Sequence, residues 1–289
     1  MRRVLVVGGS GLLGRPVVRA LLSAGDAVRV LSRKPATTSD QLGALGGTVE
    51  VVAGTVTDGD SVERAVRGCS HVHVSLAGGP GAADLERVEA GGTALVATAA
   101  ARHGVELLTY VSGSLVHVDY GPKTTEHRAK LRAERAILES GVPHVLLRPT
   151  YVMDTLPRHV QGPFAMAIGH PPPLHMVAAA DLGAMVVRAH HLSKAWRHDV
   201  YVHGPEPVTI PDALRTYCSL VHPGKRVIVV PLRVMSAADR VVLGGRLRAA
   251  LEVMALLERF GEQGNPTEAD ALLGRPTTTV AEWCKAAAG

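Results

Sequence analysis

The apolar positions of the first half of the chain fall into short runs and helical stripes that alternate in order. Val4 to Val7 is a compact run rich in β-branched side chains, as a strand buried on both faces requires. Val17, Val18, Leu21 and Leu22 then recur with helical period, with Pro16 in the first turn and Gly25 just past the end. The run Ala27 to Ser32 alternates as a second strand, closed by Arg33-Lys34-Pro35. Further strands are predicted over Thr48–Ala53, His71–Leu76, Val105–Val111 and His144–Arg148. Helices are predicted over Ser61–Arg67 and Ala83–Arg102. Gly91-Gly92 lies inside the second of these. Each glycine there costs about 1 kcal/mol against alanine, which points to close backbone packing or to a break. This alternation predicts an α/β fold, a doubly wound parallel sheet of Rossmann type.

The second half is less regular. Residues 150–154 and the proline-rich segment Pro157–Pro173 read as a rigid, irregular substrate loop carrying Tyr151, Met153, Phe164 and Met166. A helix is expected over Ala180–His190, a strand over Asp199–Gly204, and a helix that starts at Pro211. Leu247, Leu251, Met254 and Leu257 mark the buried stripe of one long helix, Ala237–Phe260.

Composition narrows the function classes. With 289 residues, 46% of them hydrophobic, the chain can bury a large core, and with only 3% aromatics that core must be Val, Leu and Ala. So few aromatics argue against a single-strand nucleic-acid binder. The net charge of +5 is modest and its arginines are dispersed, as on solvated helix faces. Cys69, Cys218 and Cys284 are far apart, with no Cys-x-x-Cys, which fits reduced, buried thiols and a cytoplasmic setting. The apolar run after Met1-Arg-Arg is short and glycine-broken, unlike a secretory leader, and no run of 18 apolar residues suggests a membrane span. The 14 histidines include His71 and His73 on one face of a strand and the adjacent pair His190-His191, but no His-Glu-x-x-His and no evident third ligand; no metal centre is expected.

The chemistry concentrates at the first turn from strand to helix, where glycines stand at 8, 11 and 14. Such a turn aims unpaired N–H groups and the positive end of a helix dipole at one point, which suits a dinucleotide pyrophosphate. Gly8 would permit the turn, Gly11 the approach of the phosphates, and Gly14 close packing of helix on strand. The second strand ends in Ser32-Arg33-Lys34 with no acid nearby, where an acid would accept from the ribose of NAD. NADP is therefore the expected cofactor, with NAD second, and Arg33, helped by Lys34, is the expected clamp on the 2′-phosphate. Ala77 and Gly78, small residues at the end of the fourth strand, would let the cofactor pass close by.

Three stretches carry a family resemblance: Gly8-Gly-Ser-Gly-Leu-Leu-Gly14, Glu126-His-Arg-Ala-Lys-Leu-Arg-Ala-Glu134, and Leu147-Arg148-Pro149. They resemble the short-chain dehydrogenase/reductase superfamily in its extended and atypical branches, and Leu273 to Trp283 resembles the C-terminal end of NmrA-like proteins. The resemblance implies a cofactor loop of Gly8, Ser10, Gly11, Leu12, Leu13 and Gly14, with backbone groups of Thr55 and Val56 beside the adenine where the family has Gly-Asp. It implies a catalytic serine at Ser114, with Ser112 second, and a lysine at Lys130 that holds the nicotinamide ribose.

The family tyrosine is replaced by Glu126, so the usual proton donor is missing; Tyr120, His117 and His127 are the substitutes within range in the sequence. By spacing alone Lys130 and Glu134 also read as a surface i,i+4 pair. Residues 1–150 are expected to form the NAD(P)-binding domain, and residues 151–289 a substrate-binding region interleaved with the sheet. The expected function is an NADPH-dependent oxidoreductase of a small carbonyl or enone, with a small-molecule substrate, no nucleic acid or membrane partner, and a monomer or homodimer as the working unit. The alternative is a non-catalytic NADP(H) sensor that binds a protein partner.

Overall fold

The apolar runs become the strands of a single parallel sheet. The computed structural model describes residues 2–77, 82–119, 124–192 and 197–288. In chain order it begins β1 (Arg3–Val7), α1 (Gly14–Ser23), β2 (Ala27–Ser32), α2 (Pro35–Gly43), β3 (Val49–Ala53), α3 (Gly59–Val66) and β4 (His71–Val74). A composite helix follows: α4 (Ala82–Asp84), a π-helical stretch (Leu85–Gly91) and α5 (Gly92–Arg102). Then come β5 (Leu107–Val111), α6 (Thr125–Ser140), β6 (His144–Pro149) and a 3-10 segment (Met153–His159). The remainder is β7 (Val160–Gln161), β8 (Phe164–Ile168), β9 (Leu174–His175), α7 (Ala179–His191), β10 (Arg197–Val202), β11 (Pro207–Val208), α8 (Ile210–Val221), β12 (Arg226–Val230), α9 (Leu232–Val241), α10 (Arg248–Phe260), α11 (Thr267–Leu273) and α12 (Val280–Ala288).

The main sheet has the order β10-β6-β5-β4-β1-β2-β3 with every pair parallel. Side chains alternate across a strand, so β1 serves two cores. Val4 and Val6 pack with Val17, Val18 and Leu21 of α1 and with Leu182 and Met185 of α7. Leu5 and Val7 pack on the opposite face with residues of α3, α5 and α6, among them Val62, Val96 and Ile137. The strand order reverses between β1 and β4, and in open parallel sheets ligands bind in the crevice that such a reversal opens at the carboxyl ends of the strands. The sheet runs on past residue 150, since β10 pairs with β6 through the register Arg197↔His144 to Val202↔Pro149.

The other elements build a third core around Met153, Leu156, Leu174, Leu214, Tyr217, Met254 and Leu257. There β8 pairs parallel with β12 and antiparallel with β7, and β9 pairs with β11. Segment Pro157–Pro173 is thus not an irregular loop but contains β7 and β8, whose edges are satisfied by a strand some sixty residues on. The long helix expected over Ala237–Phe260 is two, α9 and α10, because Gly244 and Gly245 between them take φ of +63° and +77°, outside the helical region. Neither α2 nor β12 was foreseen. The expected Ala83–Arg102 helix is continuous but π-wound before Gly92. A Cβ on Gly92 would lie 2.8 Å from a Val56 methyl, so close packing is the reason for that glycine. All three cysteines are buried and unbridged. Among the described residues no helix is long and apolar enough to cross a membrane.

Candidate functional site

The site begins where β1 turns into α1. Gly8 has φ +90°, and a Cβ there would lie 2.4 Å from the Ser75 carbonyl oxygen. The Gly11 N–H donates to the Gly8 carbonyl at 2.9 Å and closes the turn, and a Cβ on Gly14 would come within 2.1 Å of that same oxygen. The fold itself therefore demands glycine at 8 and 14. Gly11 differs: its only neighbour is the Gly8 oxygen at 3.1 Å, and its outer side opens on a cleft. Helix α1 begins with no side-chain cap and no acid in its first turn, so the positive end of its dipole faces that opening uncompensated, although the Arg15 N–H is taken by the Gly11 carbonyl. This donor set fits a pyrophosphate, and a side chain at Gly11 would fill its cradle.

The cleft has a volume of about 1350 Å³ and follows the carboxyl ends of the strands. At one end Ser32 accepts from the Lys34 N–H at 3.0 Å and exchanges a hydrogen bond with Thr38 at 2.7 Å, which bends the chain from β2 into α2. Arg33 and Lys34 stand exposed on the wall there, and neither pairs with an acid among the described residues. Ser10, Leu12, Leu13, Thr55, Val56 and Ala77 also line the cleft. Asp58 is turned away to cap α3, accepting from the Ser61 N–H at 3.0 Å, so it is no substitute for the acid that Thr55 replaces. Gly78 and Tyr120 lie outside the described residues.

Toward the far end β5 delivers Ser112 and Ser114, both buried and both on the cleft wall. Their N–H groups donate to the carbonyls of Leu147 at 2.8 Å and Pro149 at 3.0 Å, which fixes this strand exit against β6. Helix α6, capped by Thr124, brings Glu126, His127 and Lys130 to the same wall. His127 is buried and exchanges a hydrogen bond through Nδ1 with the Thr124 hydroxyl at 2.6 Å.

Lys130 does not form the surface pair with Glu134 that its spacing suggested. Its Nζ lies 3.4 Å from Oε1 of Glu89, a carboxylate only 2% exposed that also accepts from the Tyr110 hydroxyl at 2.5 Å. Burial and then the neighbouring Glu89 charge push the Tyr110 hydroxyl well above its ordinary pKa. Glu134 is instead buried against Arg148, at 2.9 Å and 3.2 Å, and 2.6 Å from His117. Burial, the largest single influence, would raise its carboxyl, but the hydrogen bonds and charge of Arg148 together with its other hydrogen bonds, that of His117 among them, outweigh it and hold the group below the usual range. His117 is thus committed to Glu134.

Glu89 was not singled out in the sequence, and Tyr151 only as part of the loop after β6. Glu89 sits in the π-wound stretch, where the wider turn breaks the helical register by which a sequence pattern would place it. Tyr151, which lines the cleft, donates its hydroxyl to His159 Nε2 at 2.7 Å. A carbonyl can only accept, so the 2.8 Å contact between His159 Nδ1 and the Met166 oxygen fixes the proton on Nδ1. Burial lowers the pKa of His159 and raises that of Tyr151, which keeps this pair neutral.

A family model described as NAD(P)H-binding matches residues 8–191. Among curated proteins the chain is similar to a 3 beta-hydroxysteroid dehydrogenase/Delta 5→4-isomerase of Mycobacterium tuberculosis, 34% identical over 124 residues, which are 39% of this chain and 32% of that protein. The chain spans less than half the length of the curated relatives it matches, 42% in the longest case. Among solved structures it is similar to an NADPH-dependent quinone oxidoreductase from Escherichia coli complexed with NADPH, with TM-score 0.76 and 21% identity over 99% of this chain and 100% of that one. The Citrobacter triphenylmethane reductase complexed with NADP(H) gives TM-score 0.74 and 16% identity over the same shares. At these identities the structural likeness is one of fold.

Proposed function

Because the chain belongs to the NAD(P)H-binding family, we propose that it is an NADPH-dependent oxidoreductase of the atypical short-chain dehydrogenase type, acting on a small carbonyl or enone. One observation carries this reading: a single cleft of about 1350 Å³ runs from a glycine cradle to a group of buried polar side chains, with room for a dinucleotide and a small molecule beyond it.

In this reading the loop from Gly8 to Gly14 and the first turn of α1 hold the pyrophosphate, and Arg33 and Lys34 take the 2′-phosphate as charge-assisted partners. Thr55, Val56 and Ala77 flank the adenosine half. The cofactor, when bound, supplies a hydride. Lys130 donates to the nicotinamide ribose, and Glu89 is a positioning residue that fixes its ammonium. Ser114 donates its hydroxyl proton in a hydrogen bond to the substrate oxygen, where charge develops. In this reading the proton that completes reduction comes from a group other than residue 126. His127, buried on the cleft wall, and Tyr120 are the candidates. Residues 1–150 supply most cofactor contacts, and the later elements close the substrate end through Tyr151, Arg158, Val253 and Leu257.

The test is a screen of NADPH oxidation over small carbonyls and enones, followed by variants on any substrate found. Ser114→Ala should lower turnover roughly a hundredfold, as losing an oxyanion donor does, while Glu126→Gln keeps most activity. The reverse outcome would reassign the roles. A second reading, a cofactor sensor without turnover, is favoured by Glu126 standing where the family has its tyrosine. Tight NADPH binding with no turnover on any substrate would support it.

A further inference from the structure

Away from the cleft, three segments distant in sequence meet at one point. β9 supplies His175, the residue after β10 supplies His203, and the loop after α10 supplies Glu262. One ligand atom from each lies within 4.8 Å of the others. The His175 ring bonds through Nδ1 to Glu262 Oε1, and the His175 backbone N–H donates to Oε2 of the same carboxylate at 2.7 Å. His203 Nδ1 lies 4.0 Å from Glu262 Oε1, and the two imidazoles stack with centroids 5.7 Å apart.

The second nitrogen of His203 decides what this group can do. Its Nε2 is 3.1 Å from the Gln263 carbonyl oxygen, which can only accept. In the neutral ring the proton is therefore on Nε2, and the Nδ1 lone pair faces Glu262. A carbonyl behind an imidazole is the usual outer support of a metal-ligating histidine. The surroundings are stiff. The Gly204 N–H donates to the His175 carbonyl at 3.0 Å, and a Cβ on Gly204 would fall 1.8 Å from the Met176 oxygen, so the segments bearing the two histidines are hydrogen-bonded and closely packed.

We propose that His175, His203 and Glu262 form a binding site for a zinc-like divalent transition metal, separate from the cofactor cleft. Two imidazole nitrogens and one carboxylate match zinc, whereas calcium and magnesium prefer all-oxygen sites. Tetrahedral ligation at about 2.0–2.1 Å spaces ligand atoms about 3.3 Å apart. The 4.0 Å His203–Glu262 gap needs only a sub-ångström adjustment to meet that spacing. On binding, His175 switches tautomer, its Nε2 taking up a proton from solvent as Nδ1 gives its own up, so that the ring stays neutral, and a water completes the fourth position. The ion would staple the loop after α10 to the ends of β9 and β10. Because α10 lends Val253 and Leu257 to the cleft, occupancy would also hold one wall of that cleft.

The experiment uses the full chain after EDTA treatment. Titration with Co²⁺ should give the visible absorption of a four-coordinate site, saturating at one equivalent, and Zn²⁺ should displace it and raise the melting temperature. Glu262→Gln and His203→Ala should each weaken Co²⁺ binding by at least about tenfold, the smallest loss usual for disturbing a metal site. His198→Ala, at a surface histidine paired with Glu268, should leave it unchanged. Glu262→Gln keeps the side-chain shape and an acceptor for the His175 N–H, so it decides the matter even if His203→Ala fails to fold. No Co²⁺ signal in the unaltered chain, a signal unaffected by Glu262→Gln, or one lowered equally by His198→Ala would overturn the site.

Discussion

At the α1 end of the cleft the wall is one loop of seven consecutive residues, Gly8 to Gly14, shaped by its main chain. At the other end Glu89, Ser114, Lys130 and Tyr151 arrive from four separate elements and act through their side chains. The first region depends on local conformation: a positive φ at Gly8, a hydrogen bond from Gly11, and a helix that starts without a cap. The second depends on the sheet and its helices holding register over long distances. The proposed phosphate cradle is thus written into one short stretch, while the proposed reactive groups are placed by the whole fold.

The most disruptive way to test this contrast is to cut what holds α6 in place. Glu134 and Arg148 are both almost fully buried, and Asp199 is the only other acid paired with Arg148 among the described residues. Removing one partner of a buried ion pair costs about 3–5 kcal/mol. Glu134→Gln is expected near about 3 kcal/mol, since Asp199 remains. Urea denaturation measures it, and a loss well under 1 kcal/mol would show that the pair does not anchor α6. The pH dependence has a fixed sign. The Glu134 carboxyl is held below its ordinary value of 4.5, so its stabilisation is present at neutral pH and is lost as pH falls below that value. Glu134→Gln should flatten this acid limb.

At the backbone end, Gly11→Val should leave the circular dichroism native, because nothing but the Gly8 oxygen lies near its Cβ position. NADPH affinity should fall by more than about a hundredfold, or 2.7 kcal/mol, since the branches fill the pyrophosphate cradle. Gly14→Val sharpens the point: with a Cβ 2.1 Å from the Gly8 oxygen it should unfold the loop itself. Wild-type affinity in Gly11→Val would place the cofactor elsewhere. The smallest effect is expected at Arg33→Ala. Calorimetric titration of NADP and NAD should show the preference for NADP reduced by roughly tenfold, about 1.5 kcal/mol for one lost charge-assisted hydrogen bond. An unchanged preference would remove Arg33 from the 2′-phosphate.

The same contrast explains what could be read from the sequence. The parallel sheet, the glycine loop and the position of Arg33 at the end of β2 follow from local patterns: apolar runs, glycine spacing, an absent acid. Lys130 could be placed on α6, but not its partner, because Glu89 lies 41 residues away on a stretch wound as a π-helix. The pairing of β8 with β12 joins Phe164 to Arg226, a distance no periodicity measures. The split between α9 and α10 is set by the positive φ of Gly244 and Gly245, which the apolar stripe from Leu247 to Leu257 does not reveal. His175, His203 and Glu262 share no spacing at all, so only the folded chain assembles them.

The way α7 and β10 close the first half bears on how the molecule comes into being. α7 lies along α1 so tightly that a Cβ on Gly183 would sit 3.0 Å from the Pro16 carbonyl oxygen, and β10 covers the outer edge of β6 from His144 to Pro149. A nascent chain that has emerged only as far as residue 150 carries every glycine of the cofactor loop. It also carries an uncovered apolar flank on α1 and an unpaired strand edge on β6, features that favour association between chains. The edge of β6 is fully paired only once Val202 has been synthesised. Closing contacts between residues so far apart in sequence is slow, and the nascent chain stays vulnerable until it is done.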